Sequence, residues 1–220
     1  MTLRRRLSKG AFYRLNYTWS KSIDDASQSI SSGNGGVSGA QDIFNLRAER
    51  GRSEWDARHI ATFNLSWDIP VKRQWLLRGW QVAGTGRVMS GQPITPRISG
   101  ANPGEPTRPD RIRHGRLNRP SPERWFDVGA FAVVPPAELR FGNSGRSILD
   151  GPGLIALSSA LSRSFRFEKR GALQFRWEVF NVTNHTNFNL PVVNVNVVNA
   201  ASITRARAAR VMQLAVRYQF

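Results

Sequence analysis

The sequence predicts an all-β protein, and three observations lead to that fold class. Six segments alternate apolar and polar residues with the period of two that is typical of a strand. The connections between these segments are alternately short and long. No stretch contains the ~18 consecutive apolar residues of a membrane-spanning helix. Together they predict an antiparallel up-and-down segment of a transmembrane β-barrel, with about six long strands and long external loops, that leaves the barrel incomplete.

The first three predicted strands lie near residues 11–23, 57–69 and 76–90. In the first, apolar and aromatic side chains such as Tyr13 occupy every second position, and Arg14 begins the polar positions between them. The second strand repeats this pattern. In the third, glycines take part of the apolar face, so its alternation is weaker.

The last three predicted strands lie near residues 154–167, 171–184 and 210–220. The first of these carries an apolar stripe that Arg163 interrupts, and this arginine counts against the prediction. The other two alternate regularly, and the last ends on Phe220. Residues 1–10 are predicted as a basic N-terminal segment outside the sheet, and residues 11–220 as the barrel part.

The connections indicate how the strands are oriented. Residues 70–75 and 168–170 form short turns, whereas residues 24–56, 91–153 and 185–209 form long loops rich in Gly, Ser, Asn and Pro. Because consecutive strands are antiparallel, all long loops leave one end of the sheet. This arrangement is typical of an outer-membrane barrel, which has short periplasmic turns and long external loops.

The two faces of the predicted strands differ in chemistry. Tyrosine and tryptophan favour the boundary between membrane and water, and segments of 11–15 residues are long enough to cross the hydrocarbon core when tilted. The residues predicted to face lipid or to form the aromatic girdle are Tyr13, Tyr17, Trp19, Phe63, Trp67, Trp80, Phe175 and Trp177. Those predicted to face the lumen are Arg14, Arg58, Arg87, Arg176, Glu178 and Arg217.

The composition excludes several kinds of site. The chain has no cysteine, so a disulfide or a thiolate metal site is impossible. Its three histidines show no metal-ligand spacing, and no catalytic motif occurs, so we expect no enzymatic activity, cofactor or metal. The net charge of +17 is dispersed along the chain, so we expect no nucleic-acid partner.

Two alternatives remain open at the level of the sequence. A soluble all-β binding module would also alternate apolar and polar residues. Such a module would use the Arg-rich loop at residues 97–124 to hold anionic ligands. A non-functional remnant of a larger protein would not be expressed stably without its missing strands.

Six stretches of the chain resemble, in order, the C-terminal end of TonB-dependent outer-membrane receptors. They are YTWSKSIDDAS (17–27), ERGRSEWDARHIATFNLSWDIP (49–70), LLRGWQVAGTGRVMSGQPITP (76–96), RWFDVGAFAVVP (124–135), FGNSGRSILDGPG (141–153) and LQFRWEVFNVTNHTNFNLP (173–191). The likeness is to the Oar-like subgroup, whose members carry a carboxypeptidase-regulatory-like domain at the N-terminus.

The resemblance implies several expectations. The family implies a 22-stranded barrel with an internal plug, the outer membrane of a Gram-negative bacterium, and energised uptake of a solute. The chain is expected to be a C-terminal fragment that cannot transport alone and that meets TonB only through a missing N-terminal plug. The chain is expected to contact outer-membrane lipid.

The resemblance also gives the last residues of the chain a role. In barrels of this family the final strand ends on an aromatic residue, with apolar residues at alternate positions before it. Val216, Tyr218 and Phe220 match this pattern. They are therefore expected to form the signal that the barrel assembly machinery reads by pairing with the terminal strand.

Overall fold

The computed structural model describes residues 1–6, 10–25, 40–71, 78–100, 107–167 and 171–220. Thirteen strands occur in this part of the chain. They are β1 Thr2–Arg6, β2 Ala11–Trp19, β3 Ile23–Asp24, β4 Gly51–Arg52, β5 His59–Asp68, β6 Trp80–Met89, β7 Pro93–Ile94, β8 Asp110–Arg111, β9 Phe131–Ala132, β10 Leu149–Asp150, β11 Leu154–Phe167, β12 Gly171–Phe180 and β13 Val211–Gln219.

Seven of these strands form one antiparallel sheet in the order β1-β2-β5-β6-β11-β12-β13. The predicted fold class, an all-β antiparallel segment of an incomplete barrel, is confirmed. Each of the six long alternating segments contains one strand of the sheet. The segment near residues 171–184 ends as a strand at Phe180, because Asn181 and Asn184 take φ values of 52° and 51° and turn the chain.

The sheet has a seventh strand that the alternation did not indicate. Residues 1–10 were predicted as a basic segment outside the sheet, yet β1 pairs with β2 from Thr2↔Asn16 to Arg6↔Phe12. Ladder pairing uses backbone groups, so a strand at the edge of a sheet forms without an alternating pattern, and charged residues are common there. The count of about six long strands is therefore exceeded by one short edge strand.

The long connections all leave the same end of the sheet. They join β2 to β5, β6 to β11, and β12 to β13. The short turns predicted at residues 70–75 and 168–170 lie partly or wholly outside the described residues, as do residues 101–106 of the predicted Arg-rich loop. The helices of the described residues are three 3-10 turns, Leu46–Glu49, Val128–Ala130 and Pro136–Glu138. None of them is long or apolar enough to cross a membrane.

The largest group of buried apolar residues lies in the connections and not on the sheet. Its members are Ile94, Phe126, Ala130, Phe131, Leu149, Val195 and Ala201. Phe126 and Phe131 meet edge to face, with ring centroids 6.0 Å apart. Short two-stranded ladders, β7 with β10 and β8 with β9, tie the same region together. We call the described residues of the three long connections the loop cap.

Among the described residues, no second layer covers the apolar face of the sheet. Trp19, Leu214 and Val216 on this face are 68%, 68% and 67% exposed. The three further sheets of the described residues each have two strands of two residues and belong to the connections. A soluble β-sandwich buries its apolar face against another sheet, so the described structure does not have the architecture of a soluble all-β module.

Candidate functional site

The strand register places every aromatic residue predicted to face lipid on one face of the sheet. Directly paired residues in an antiparallel ladder point to the same side. One such row runs Leu15, Phe63, Gly86 and Leu157 across four strands. By the same register, Tyr13, Tyr17, Trp19, Phe63, Trp67, Trp80, Phe175 and Trp177 all lie on this apolar face. Their contact with lipid stays a prediction.

Glycines on the apolar face accommodate a large ring from the neighbouring strand. A Cβ atom at Gly86 would lie only 2.0 Å from the ring of Phe63. The ring therefore lies against the backbone of β6, where any larger residue would displace it. Cross-strand contact between an aromatic ring and a glycine compensates for the missing side chain.

Arg163 interrupts the apolar stripe of β11, and the structure shows how this charge is accommodated. Its side chain is only 7% exposed. The guanidinium carbon lies 4.1 Å from the centroid of the Phe165 ring and 5.7 Å from that of Trp80. Trp80 in turn meets Phe175 edge to face at 5.9 Å. Aromatic faces attract a cation, so the residue that counted against the strand belongs to an aromatic cluster.

The opposite face of the sheet is polar, and it carries most of the residues predicted to face the lumen. Arg14, Arg87, Arg176, Glu178 and Arg217 lie on this face by register. Within it, the Arg176 Nε donates to the Glu178 carboxylate at 2.8 Å. That this face borders a lumen stays a prediction.

Two arginines differ from the predicted set. Arg58 lies in a bend one residue before β5, so it stands at the outer rim and not on the strand. Arg166 was not among the predicted residues, but it lies on the polar face at the other end of β11, paired with Ala172. In the sequence, Arg166 follows Ser164 by two positions and Ser162 by four, so the period-two alternation assigns it to the same polar face.

A cavity of about 660 Å³ lies at the outer end of the apolar face, where the sheet meets the loop cap. Tyr17, His59, Trp125 and His185 are among its lining residues. The Tyr17 hydroxyl and the His59 Nδ1 are joined by a hydrogen bond of 2.8 Å, and the two rings are stacked. The two histidines therefore lie at the rim of the apolar face.

A buried ion pair joins two distant connections inside the loop cap. Arg108 and Glu49 are 1% and 2% exposed, and the guanidinium donates two hydrogen bonds to the carboxylate, at 2.6 and 2.9 Å. The same carboxylate accepts the backbone N–H of Gln41 at 3.0 Å. Arg146 donates to the backbone carbonyl of Glu49 at 2.9 Å and to the Asp24 carboxylate. The bidentate geometry fixes the relative position of these segments.

A second cluster ties the outer end of β5 to the cap. Arg52 donates to Asp56 at 2.8 Å and pairs with Asp150. Burial opposes charge on both Asp56 and Arg52. For Asp56, the hydrogen bonds from the Ser22 backbone N–H and the Arg52 guanidinium outweigh this effect of burial. The pKa of Asp56 therefore lies below its ordinary value. The hydrogen bonds to both aspartates likewise raise the pKa of Arg52.

A third cluster lies on the surface of the cap. Arg140 donates to both oxygens of the Asp110 carboxylate, and the backbone N–H of Asn143 donates to it at 2.9 Å. The Arg140 guanidinium, followed by this N–H group, lowers the pKa of Asp110 below its ordinary value. Across the described ranges, no three His, Cys, Asp or Glu residues are grouped so that they could hold a metal ion.

The terminal strand β13 is one edge of the sheet, and β1 is the other. On β13 the alternate residues Val216 and Tyr218 lie on the apolar face and are exposed, as is Phe220 beyond the end of the strand. The rings of Tyr218 and Phe220 are adjacent, with centroids 6.3 Å apart. The structure therefore presents the predicted assembly residues on an open edge, and their recognition stays a prediction.

Comparison with known proteins agrees with this architecture. The model of the family described as "Outer membrane beta barrel domain" matches residues 1–213 of the chain. The comparisons with curated proteins and with solved structures found no match. The family match covers nearly the whole chain, and it confirms the predicted localisation in the outer membrane. An antiparallel sheet with one apolar face, one polar face and all long connections at one end has the features of such a barrel wall, and the chain belongs to the outer membrane beta barrel domain family.

Proposed function

We propose that this chain forms the C-terminal part of the barrel of a TonB-dependent receptor of the Oar-like subgroup, which takes up a solute across the outer membrane of a Gram-negative bacterium. The observation that carries the proposal is the open seven-stranded sheet with every long connection packed at one end. The six stretches that resemble this receptor family, in the same order along the chain, support the finer assignment.

The open edges explain why uptake belongs to a larger barrel. The backbone groups on the outer sides of β1 and β13 have no ladder partner in the described part of the chain. In hydrocarbon each unsatisfied backbone group costs several kcal/mol. Further strands must therefore cover both edges in a membrane. On this proposal the seven strands supply part of the wall and part of the outer mouth, and TonB acts through a plug in the N-terminal part of the receptor.

The direction of the two edges limits what can close the barrel. Seven antiparallel strands place β1 and β13 in the same direction along the barrel axis. An odd number of additional strands, antiparallel to each edge, would close the barrel with antiparallel pairs throughout and an even total. This is consistent with a receptor in which fifteen further strands complete a barrel of twenty-two, since outer-membrane transporters of that size exist.

Surface labelling and crosslinking test the proposal in cells that carry the native gene. An epitope inserted between Asn118 and Arg119, which are exposed in the loop cap, marks the product. We expect antibody to bind intact cells, and TonB to be recovered with the epitope after crosslinking in vivo. Absence of labelling on intact cells contradicts the proposed orientation. Surface labelling without recovery of TonB contradicts the assignment to TonB-dependent receptors. It does not contradict the assignment to an outer-membrane barrel.

We also propose that the barrel assembly machinery recognises Val216, Tyr218 and Phe220 on the open edge. The exposure of these side chains on the terminal strand supports this role. Phe220→Ala should reduce the amount of folded protein in the outer membrane, while Gln219→Ala, on the other face of the same strand, should not. If the two variants were recovered from the outer membrane in equal amounts, the proposed role of Phe220 in the assembly signal would be contradicted. The proposal assigns the chain no enzymatic activity and no nucleic-acid partner.

A further inference from the structure

The loop cap and the polar face share a concave, positively charged region at the outer ends of β6 and β11. A cavity of about 420 Å³ lies there, and its lining includes Met89, Leu154, Asn189, Thr204, Arg205 and Arg207. Met89 and Leu154 stand at the outer end of the polar face by register. The cavity therefore adjoins the outer end of the polar face, and Met89 and Leu154 separate it from the cavity at the outer end of the apolar face, which they also line. We call it the entrance.

The two arginines of this entrance are exposed, and their side chains make no salt bridge with any acidic residue in the described part of the chain. Their backbones are fixed: the Arg205 carbonyl accepts the Asn189 N–H at 3.0 Å, and the Arg207 N–H donates to the Asn187 carbonyl at 2.8 Å. The backbone thus places these two arginines at the entrance, and their guanidinium groups have no salt-bridge partner in the described ranges. The Asn189 and Thr204 side chains add neutral hydrogen-bonding groups beside them.

Below the entrance, arginines follow one another down the polar face. Successive rows of the ladder on one face are separated by two residues, which is about 6.6 Å along a strand. From the outer end inward, six consecutive rows hold Arg87, Arg14, Glu178, Arg176, Arg217 and Arg166. The register also places Arg4 in the row of Arg14, Arg6 in the row of Glu178 and Asp68 in the row of Arg176. Each of the six rows therefore carries an arginine, and these arginines come from six strands of the sheet. We call them the arginine ladder.

Few acidic residues stand beside this ladder, and one of them, Asp68, accepts a hydrogen bond from the Gln81 side chain at 3.0 Å. The seven strands of the sheet contain two acidic residues, Asp68 and Glu178. Glu178 pairs with Arg176. Within the described ranges Arg14, Arg166 and Arg217 have no salt bridge. In the loop cap, by contrast, seven acidic residues pair with arginines of the cap: Glu49, Glu138, Asp24, Asp56, Asp110, Asp127 and Asp150.

We propose that the entrance and the arginine ladder bind a small solute that carries phosphate groups, and guide it along the polar face. Guanidinium forks match the geometry of phosphate oxygens and bind them bidentately. A row spacing of about 6.6 Å lets a solute with several phosphate groups contact consecutive arginines. A low-dielectric wall strengthens this attraction and concentrates anions at the face. The inference adds a class of solute to the proposed function. That the solute moves along the polar face rests on the proposed function.

Binding of inorganic tripolyphosphate to the full chain, folded in detergent micelles and followed by titration calorimetry, tests the proposal. We expect saturable binding that Arg205→Gln/Arg207→Gln weakens at least tenfold and that Arg14→Gln/Arg217→Gln also weakens. The lysine pair, Arg205→Lys/Arg207→Lys, should retain part of the affinity, because the charge remains and the fork is lost. Circular dichroism and heat-modifiable mobility on gels verify that each variant is folded.

A charge-matched control decides whether position or total charge matters. Arg47→Gln/Arg119→Gln removes two exposed loop arginines outside the entrance and the ladder, and it should change the affinity less than threefold. Equal weakening by this control would overturn the proposal, as would the absence of saturable binding by a folded chain. Citrate bound as tightly as tripolyphosphate would overturn the assignment to phosphate. None of these results depends on TonB, so they are independent of the crosslinking test.

Discussion

The buried pair between Glu49 and Arg108 gives the most direct test of how the loop cap is held together. Glu49→Gln removes the negative charge and leaves the Arg108 guanidinium, 1% exposed, facing an amide. The glutamine keeps one oxygen, but its NH₂ group would face one of the two guanidinium donors now bound at 2.6 and 2.9 Å. Breaking one side of a buried ion pair costs about 3–5 kcal/mol. Since 1.4 kcal/mol is a factor of ten, opening of the cap should become roughly 10² to 4 × 10³ times more frequent.

Hydrogen exchange measures this opening residue by residue. The Gln41 amide donates to the Glu49 carboxylate at 3.0 Å, and the Arg108 amide donates to the Gln41 side chain at 2.8 Å, so both report on the pair. Their exchange should accelerate in the variant while the amides of the sheet keep their rates.

The same substitution at Glu138 is the control. Its side chain is 45% exposed beside Arg140, and exposed pairs contribute about 0–1 kcal/mol. If Glu49→Gln accelerated exchange no more than Glu138→Gln, the cap would not depend on the buried pair, and the reasoning would be refuted.

Three further predictions concern the backbone, the apolar face and pH. Gly91→Ala places a Cβ atom 1.8 Å from a backbone carbonyl oxygen, so it should lower the denaturant midpoint of the folded chain well below that of Gly129→Ala, where no atom lies closer than 3.5 Å. Leu65→Arg puts a charge on the apolar face and should cost about 2–4 kcal/mol in lipid vesicles, whereas Asn64→Arg on the polar face should cost less than 1 kcal/mol; equal costs would contradict the assignment of the faces. The lowered pKa of Asp56 stabilises the cap above pH 3.8, its ordinary pKa, and this contribution is lost as the pH falls through the folded pKa. Trp55, next to Asp56 and 61% exposed, should therefore change its fluorescence below pH 3.8 in the native chain, and a smaller change is expected in Asp56→Asn.

The strands could be predicted where the alternation of apolar and polar residues agrees with the positions of turn-forming residues. Gly151, Pro152 and Gly153 lie directly before the strand at 154–167 and mark its beginning. Its predicted and observed bounds coincide. The edge strand β1 could not be predicted, because TLRRR has no alternation and its strand conformation comes from pairing with β2. Arg163 interrupts the apolar pattern of its strand, and of the two rings that accommodate it, Phe165 lies two positions away, whereas Trp80 lies on the neighbouring strand 83 positions earlier in the chain.

The loop cap shows the same limit more strongly. Glu49 and Arg108 are 59 positions apart, and Arg146 reaches an aspartate 122 positions away. Neither partner has a local signal, since one Glu or Arg in a loop resembles any other. The long connections were identified correctly as loops, but their packing around Phe126 and Phe131 depends on all three connections leaving the same end of the sheet.

The sequence by itself determined the alternation of apolar and polar residues, the approximate positions of the long strands and the order of short and long connections. These depend on neighbouring residues, so a strand and its two faces can be recognised without its partners. Only the tertiary structure decided which residues stand side by side: the pairing of β1, the aromatic cluster around Arg163, the buried ion pair of the cap and the rows of the arginine ladder. The alternation fixes the face that a side chain takes and so excludes a register slip of one residue. The choice of partner strand and the packing of the loops are set by contacts between residues far apart in the chain, which the local pattern does not specify.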